Sequence, residues 1–438
     1  MRNLYQQTPA QPLTHVTLLL PRTGACLDPP ERQGLSRLMG RLMFMGAGGL
    51  GNTELNGRLE RLGASMGFSI ANDHFALRLV TLTENLDAAL ELFLLSFRDP
   101  NLDAGEFDRL KKEQLSGWIA EREESKQIRA QEVYLHQIFR NEPTGYLPDG
   151  TAEGIAACRV EDVRAHFARL FTGDEPILAV LTDLSRGEAK ERVVERIVQE
   201  RTAREGTYPW EDFEPKNGSG RRVIIVPDEE TNTDEIVFGA FTTSEKDPDW
   251  HVHRVITHIF GGDMNSRLFR VVRGDRGLSY GASCWYESAH GRCPRDRMTP
   301  FSIYTFPAAE HTAEALPLVV SLYEELVADG VTEQELALAQ KALINSHPFL
   351  RDTPQKLLAL EADLALYGVD TDDEATNREK IQNVTLADVQ RVLRQTHHPE
   401  GFTMVLLGDP HRLEPLAAGI ESVERLETIT YPKPLRDG

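Results

Sequence analysis

The feature that most constrains this chain is that its second half repeats its first. Val160-Glu161-Asp162-Val163 opens a stretch of helical apolar periodicity, and the apolar run 177–181 then ends at Asp183. Leu386-Ala387-Asp388-Val389 and the run 402–407, closed by Gly408-Asp409, repeat that order, and one spacing separates both Asp162 from Asp388 and Asp183 from Asp409. Upstream, 86–115 reads as two amphipathic helices around the turn Asn101-Leu102-Asp103-Ala104-Gly105-Glu106, and 312–343 repeats it around Gly330-Val331-Thr332-Glu333-Gln334-Glu335. A repeat of this length is one fold built twice.

Between the halves, 205–220 is rich in Gly, Pro, Asn and charge and has little apolar periodicity, which predicts a linker. The expected division is a first domain over 1–204, the linker over 205–220, and a second domain over 221–438 that opens with the strand 222–226. Short β runs (16–20, 75–80 and 177–181; 235–241, 301–304 and 402–407) alternate with long helices in each half. The predicted class is therefore α+β, with two homologous α/β-sandwich domains.

With 438 residues, 40% of them hydrophobic and 26% charged, the chain has globular composition and room for two cores. A net charge of -20 leaves nonspecific phosphate binding without electrostatic support, so nucleic acid is not an expected partner. No stretch approaches the ~20 apolar residues of a membrane helix, and the polar start 1–12 lacks the basic-then-apolar pattern of an export signal. A soluble, cytoplasmic protein is expected. Cys26, Cys158, Cys284 and Cys293 form no CxxC pair, which argues against a disulfide framework or zinc knot. Cys284 and Cys293 are close enough in sequence to bridge across a hairpin, but free thiols are the expectation.

Two segments single themselves out. The predicted helix 34–45, Gly-Leu-Ser-Arg-Leu-Met-Gly-Arg-Leu-Met-Phe-Met, is followed by Gly46-Ala47-Gly48-Gly49. On its own residues it reads as an amphipathic core helix with Arg37 and Arg41 toward solvent. In the second half, Ser266-Arg267-Leu268-Phe269-Arg270-Val271-Val272-Arg273 leads through Gly274-Asp275-Arg276-Gly277 to Leu278-Ser279-Tyr280. Read alone, Arg273 is a helix-terminal charge and Tyr280 a half-buried strand residue. His251, His253 and His258, and the pair His397-His398, lack carboxylates at metal-binding spacing and read as surface or capping histidines.

Together these segments resemble the pitrilysin/insulinase-like zinc metallopeptidases, of the two-domain, processing-peptidase-like type. The block from Ser266 to Tyr280 is similar to the family signature S-R-L-F-x-x-x-R-x-x-x-G-L-x-Y over its whole length. The helix 34–45 stands where that family carries H-x-x-E-H. Aligned on Phe44 and Gly46, the resemblance puts Arg37 and Arg41 at the histidines and Gly40 at the glutamate. A later stretch, Gln114-Leu115-Ser116-Gly117-Trp118, puts Gly117 at the glutamate that completes the metal set, with Glu113 and Glu121 one helical turn away.

The family's chemistry needs two imidazoles at i and i+4 to share one helix face and grip zinc while the glutamate activates its water. Guanidinium has no lone pair to give and repels a dication, and glycine supplies no base. No metal and no peptidase activity are therefore expected of this chain alone. The resemblance implies a noncatalytic subunit of a heterodimeric zinc peptidase. A zinc-bearing homologous partner would supply the metal, and Arg273 and Tyr280 would meet an unfolded peptide substrate in a shared chamber. The alternative is a catalytically inactive homodimeric peptide-binding or scaffold protein of the same fold. No G-x-S-x-G elbow or Cys/His signature supports hydrolysis by another nucleophile.

Overall fold

The computed structural model describes residues 1–140, 142–170, 175–199, 215–229, 232–287, 298–369 and 371–431. Its contacts divide the chain into two compact units. One comprises Met1–Ala120, Tyr146–Asp212 and Pro348–Glu374; the other comprises Glu121–Gly145, Phe213–His347 and Ala375–Gly438.

The first unit is built on β1 (Arg2–Gln7), β2 (Leu13–Pro21), β5 (Ser65–Ile70), β6 (His74–Leu82) and β7 (Ile177–Thr182), in the order β1-β7-β2-β6-β5. β1 runs parallel to β7 and the other pairs are antiparallel. A two-residue ribbon, β3 (Gly46–Ala47) with β4 (Leu50–Gly51), stands apart. β1 falls in the segment that hydropathy marks as a polar start. As an outermost strand it can keep polar side chains, so it sends no apolar signal.

One sheet face carries the helices α1 (Leu35–Met43), beside β5, and α3 (Leu86–Arg98), against β6. Leu92 of α3 meets Leu55 and Leu59 of α2 (Asn52–Arg61), which also meet Met66 of β5. α4 (Ala104–Glu124) completes the helical hairpin that the sequence shows, its first turn capped by Asp103, whose carboxylate accepts from the Glu106 amide. The other face is covered by the helix Pro354–Leu366. Its Ala362 packs on Leu19, Ala76 and Ile177, and its Leu358 on Ala179 and Leu181. Each fully buried Leu or Ile side chain here contributes roughly 1.5–3 kcal/mol.

The second unit has β8 (Arg221–Pro227), β9 (Glu235–Thr243), β10 (Ser279–Tyr286), β11 (Thr299–Pro307), β12 (Thr403–Gly408) and β13 (Val423–Thr428), ordered β10-β11-β9-β12-β8-β13. From β8 to β10 this is the topology of the first unit from β1 to β5, and β8 and β12 are likewise parallel. β13 is an addition beyond β8. The helical hairpin Thr312–Asp329 and Glu333–Ser346 recurs too, with a reciprocal cap between Thr332 and Glu335. The core centres on Phe238, Phe260, Phe301 and Tyr323.

The opposite face of this second sheet is covered by α5 (Lys126–Ile138), from the first half of the sequence. The Tyr134 hydroxyl meets the Ser302 hydroxyl at 2.9 Å, and Phe139 meets Phe241 edge-on at 5.4 Å. Gly239 makes this approach feasible: a Cβ there would lie 2.2 Å from the Phe301 carbonyl oxygen and 2.5 Å from the Tyr134 hydroxyl. α5 and Pro354–Leu366 hold equivalent places in the repeat, and each belongs to the unit built mainly from the other half. The compact units thus differ from contiguous halves by a reciprocal exchange of one segment.

Two histidine readings are corrected. His253 and His397, expected as surface or capping histidines, are both buried, although His397 does stand at the C-cap of the helix Leu386–Thr396. His253 Nδ1 pairs with the Tyr286 hydroxyl at 2.7 Å and His397 Nδ1 with the Tyr323 hydroxyl at 3.2 Å, the two rings stacking at 5.8 Å. Burial lowers the pKa of His253 to about 4 and that of His397 well below the ordinary value. The signal missed was aromatic packing between distant segments. Cys26, Cys158 and Cys284 are buried and form no disulfide with one another; Cys293 lies outside the described residues, as does most of the 205–220 segment. No helix among the described residues is long and apolar enough to cross a membrane.

Candidate functional site

The helix that stands in the place of the metal motif by resemblance, α1, is fixed by its N-terminus. Gly34 sits at φ 101, and the buried Asp28 carboxylate accepts from the Gly34 and Ser36 amides, both at 2.8 Å. Burial pushes the Asp28 pKa up to about 7, against those hydrogen bonds. The Ser36 hydroxyl also contacts Asp28 at 2.5 Å and His166 Nε2 at 2.7 Å. This is not a nucleophile triad. Asp28 lies on the serine side of the imidazole, 3.6 Å from the same Nε2, and Ser36 is buried. The cluster anchors the helix.

From that anchor Leu38, Met39 and Leu42 point into the core while Arg37 is exposed. Arg41, one turn on, donates to the Leu110 carbonyl at 3.2 Å and to Glu113 at 2.7 Å. Glu113 also binds Arg109. Although desolvation pulls the other way, hydrogen bonds from Arg41 and Arg109 hold its carboxyl below the usual range. The carboxylate one turn from Gly117 is thus engaged by guanidinium groups; Glu121 meets Arg122. Gly117 is exposed, with nothing near the place of its missing Cβ.

Gly40 is the opposite case. A Cβ there would fall 2.5 Å from the ring of Phe68 on β5. Phe68 stacks between Phe44 and Phe75, with centroids at 6.2 and 5.3 Å. A phenyl ring therefore occupies the space beside the helix into which a side chain at position 40 would project. The residues present do not fit zinc, and no group of three or more His, Cys, Asp or Glu among the described residues could hold a metal ion. The aromatic filling was not foreseen; the clue was a glycine in the middle of an apolar helix.

In the second unit, the block from Ser266 to Tyr280 folds as a wide, π-type helix over Phe269–Asp275, a turn at Gly277 with φ 63, and β10. Leu268, Val272 and Leu278 are buried. Arg267 is tied to Glu335 at 2.9 and 3.1 Å and to the Gly330 carbonyl at 3.1 Å. On this fixed base the Arg273 guanidinium lies 4.0 Å from the Tyr280 ring centroid and 4.9 Å from that of Phe269. Tyr280 is 73% exposed, not half-buried. Neither the Arg273 N–H groups nor the Tyr280 hydroxyl has a hydrogen-bond partner among the described residues. Single π-type turns are found frequently at functional sites.

Residues 2–147 match the family described as Insulinase (Peptidase family M16), and residues 157–343 match the Peptidase M16 inactive domain. The chain is 22% identical over 410 residues to the "Non-peptidase homolog YmxG" of Helicobacter pylori, covering 93% of this chain and 91% of that protein. It is 21% identical over 370 residues to the "Uncharacterized zinc protease Mb2805c" of Mycobacterium bovis, covering 82% and 81%. Its fold is similar to the crystal structure of a peptidase M16 inactive domain from Pseudomonas fluorescens, with a TM-score of 0.81 at 19% identity over 93% of this chain and 95% of that one. A protease structure from Helicobacter pylori matches with a TM-score of 0.79 at 17% identity, covering 92% and 96%. With the doubled sandwich and the Arg273–Tyr280 block in place, these matches assign the chain to the insulinase family of M16 peptidases and their homologues.

Proposed function

We propose that this chain is a noncatalytic, substrate-binding subunit of a two-subunit zinc peptidase, paired with a homologous subunit that carries the metal. The reading is carried by one observation: Arg273 and Tyr280 rest against each other at the surface with their donors uncommitted, on a base that Arg267 ties to Glu335. Guanidinium and phenol both donate, so they can polarise a peptide carbonyl and steady the oxyanion that forms from it. The substrate adds as a strand to the free edge at β5, where backbone hydrogen bonds hold peptides of varied sequence. The likeness to both a non-peptidase homologue and a named zinc protease supports a division of labour within one family.

The test is copurification with a zinc-bearing homologue, followed by peptide cleavage with each subunit alone and combined. Activity is expected only from the combination. Arg273→Ala and Tyr280→Phe are expected to lower its kcat by about 10²-fold, as the loss of one oxyanion donor does, with pairing intact. A chain that pairs with no such partner, or variants that leave turnover unchanged, would favour a homodimeric peptide-binding scaffold.

A further inference from the structure

Each sheet has two outer strands, and the four differ in charge. β13 carries Glu424, Arg425 and Glu427, and β1 carries Arg2, whereas β5, Ser-Met-Gly-Phe-Ser-Ile, and β10 carry no charge. Charges along an outer strand discourage pairing with another chain, and β5 has none. Both sides of β5 are nevertheless flanked by cations on neighbouring elements.

On the helix side stands Arg37. It shares a helix stripe with Arg41 and Phe44, and Phe44 and Gly40 both meet Phe68 of β5. On the other side stands Arg78 of β6, directly opposite Gly67 of β5. Gly67 has no side chain, and the space where one would stand is open. The long Arg78 side chain can therefore lean across β5 toward whatever lies beyond it. Arg37 and Arg78 are both exposed, and among the described residues neither makes a hydrogen bond or ion pair. In a chain of net charge -20, two uncommitted guanidinium groups on the two sides of one uncharged edge form a local exception.

We infer that the β5 edge selects acidic extended peptides, with Arg37 and Arg78 each taking a carboxylate from opposite faces of the added strand. This rests on the strand-addition reading above and names the substrate class. Successive side chains of a strand point to opposite faces, so neighbouring acidic residues of one peptide would meet the two arginines. The outer edge of a second copy's β5 would instead bring like charges together.

The experiment measures, by fluorescence anisotropy, binding of three labelled Thr/Val-rich peptides to the full chain. They are identical except for two adjacent central residues, Glu-Glu, Gln-Gln or Lys-Lys. The Glu peptide is expected to bind about tenfold or more tightly than the Gln peptide, with Lys weakest and the preference shrinking in high salt. R37Q and R78Q are each expected to remove about three- to fivefold of that preference, the scale of one exposed ion pair, and to leave the Gln peptide's affinity within about twofold. Equal binding of all three peptides, or a Glu preference indifferent to both substitutions, overturns the inference while leaving strand addition standing. Failure of every peptide to bind removes both.

Discussion

Gly40 shows how much one missing atom decides. In a helix interior glycine costs about 1 kcal/mol relative to alanine, yet here alanine would drive a Cβ to 2.5 Å from the Phe68 ring. Gly40→Ala is accordingly expected to destabilise the chain by about 1–3 kcal/mol in chemical denaturation, with Phe68→Leu relieving part of the loss. The same clash bears on reconstruction. Installing the metal motif with R37H, G40E, R41H and G117E is expected to yield protein that cleaves no peptide in a zinc-supplemented assay, since the ring stands where the water-activating glutamate must go. That Arg37 and Arg41 offer a metal no lone pair was legible in the sequence, because it depends only on what guanidinium can do. The ring at Gly40 was not, because β5 must first be paired with β6 before Phe68 reaches the helix.

Strands and helices were legible in proportion to how much of their signal is their own. β2, β6, β7, β8, β9, β11 and β12 announce themselves as apolar runs, because inner strands are covered on both sides. β1, β5 and β13 lie at sheet edges, where polar residues are allowed and no run is needed. The role of α5 was also hidden. It reads as an ordinary amphipathic helix of the first half, and nothing local says that its partner is β9 in the second. Gly239→Ala tests that docking: a Cβ caught between the Tyr134 hydroxyl and the Phe301 carbonyl is expected to cost about 1–3 kcal/mol, read from denaturant midpoints. Tyr134→Phe, which gives up only the bond to Ser302, is expected to cost about 1 kcal/mol.

Taken whole, the chain is set to lose stability in mild acid. Burial holds His166 and His253 neutral down to about pH 4 and His397 well below its ordinary range. Their folded pKa values are lowered, so the unfolded chain binds more protons. The stability they contribute is present above about pH 6.5 and lost as pH falls toward 4, at about 1.4 kcal/mol per pH unit for each histidine. Asp28 opposes them: its pKa is raised to about 7, so its contribution is present in acid and lost as pH rises toward neutrality. The buried histidines outnumber Asp28 and Glu235, whose carboxyls burial raises, so the net contribution of these groups falls as pH falls through this window. Denaturant midpoints measured between pH 7 and 5 should fall accordingly, and His253→Gln should flatten the slope. The repeat made the doubled fold legible, because two copies of one pattern must fold alike, but it left hidden which copy each helix serves.

That exchange of helices bears on the order in which the molecule can be made. A growing chain emerges from its amino end, and domains generally fold as they emerge. Here the sheet holding Leu19, Ala76 and Ile177 waits for Ala362, which leaves the ribosome only after most of the other sheet. Its apolar face stays wet during most of synthesis, and neither half of the gene, expressed alone, encodes a finished sandwich.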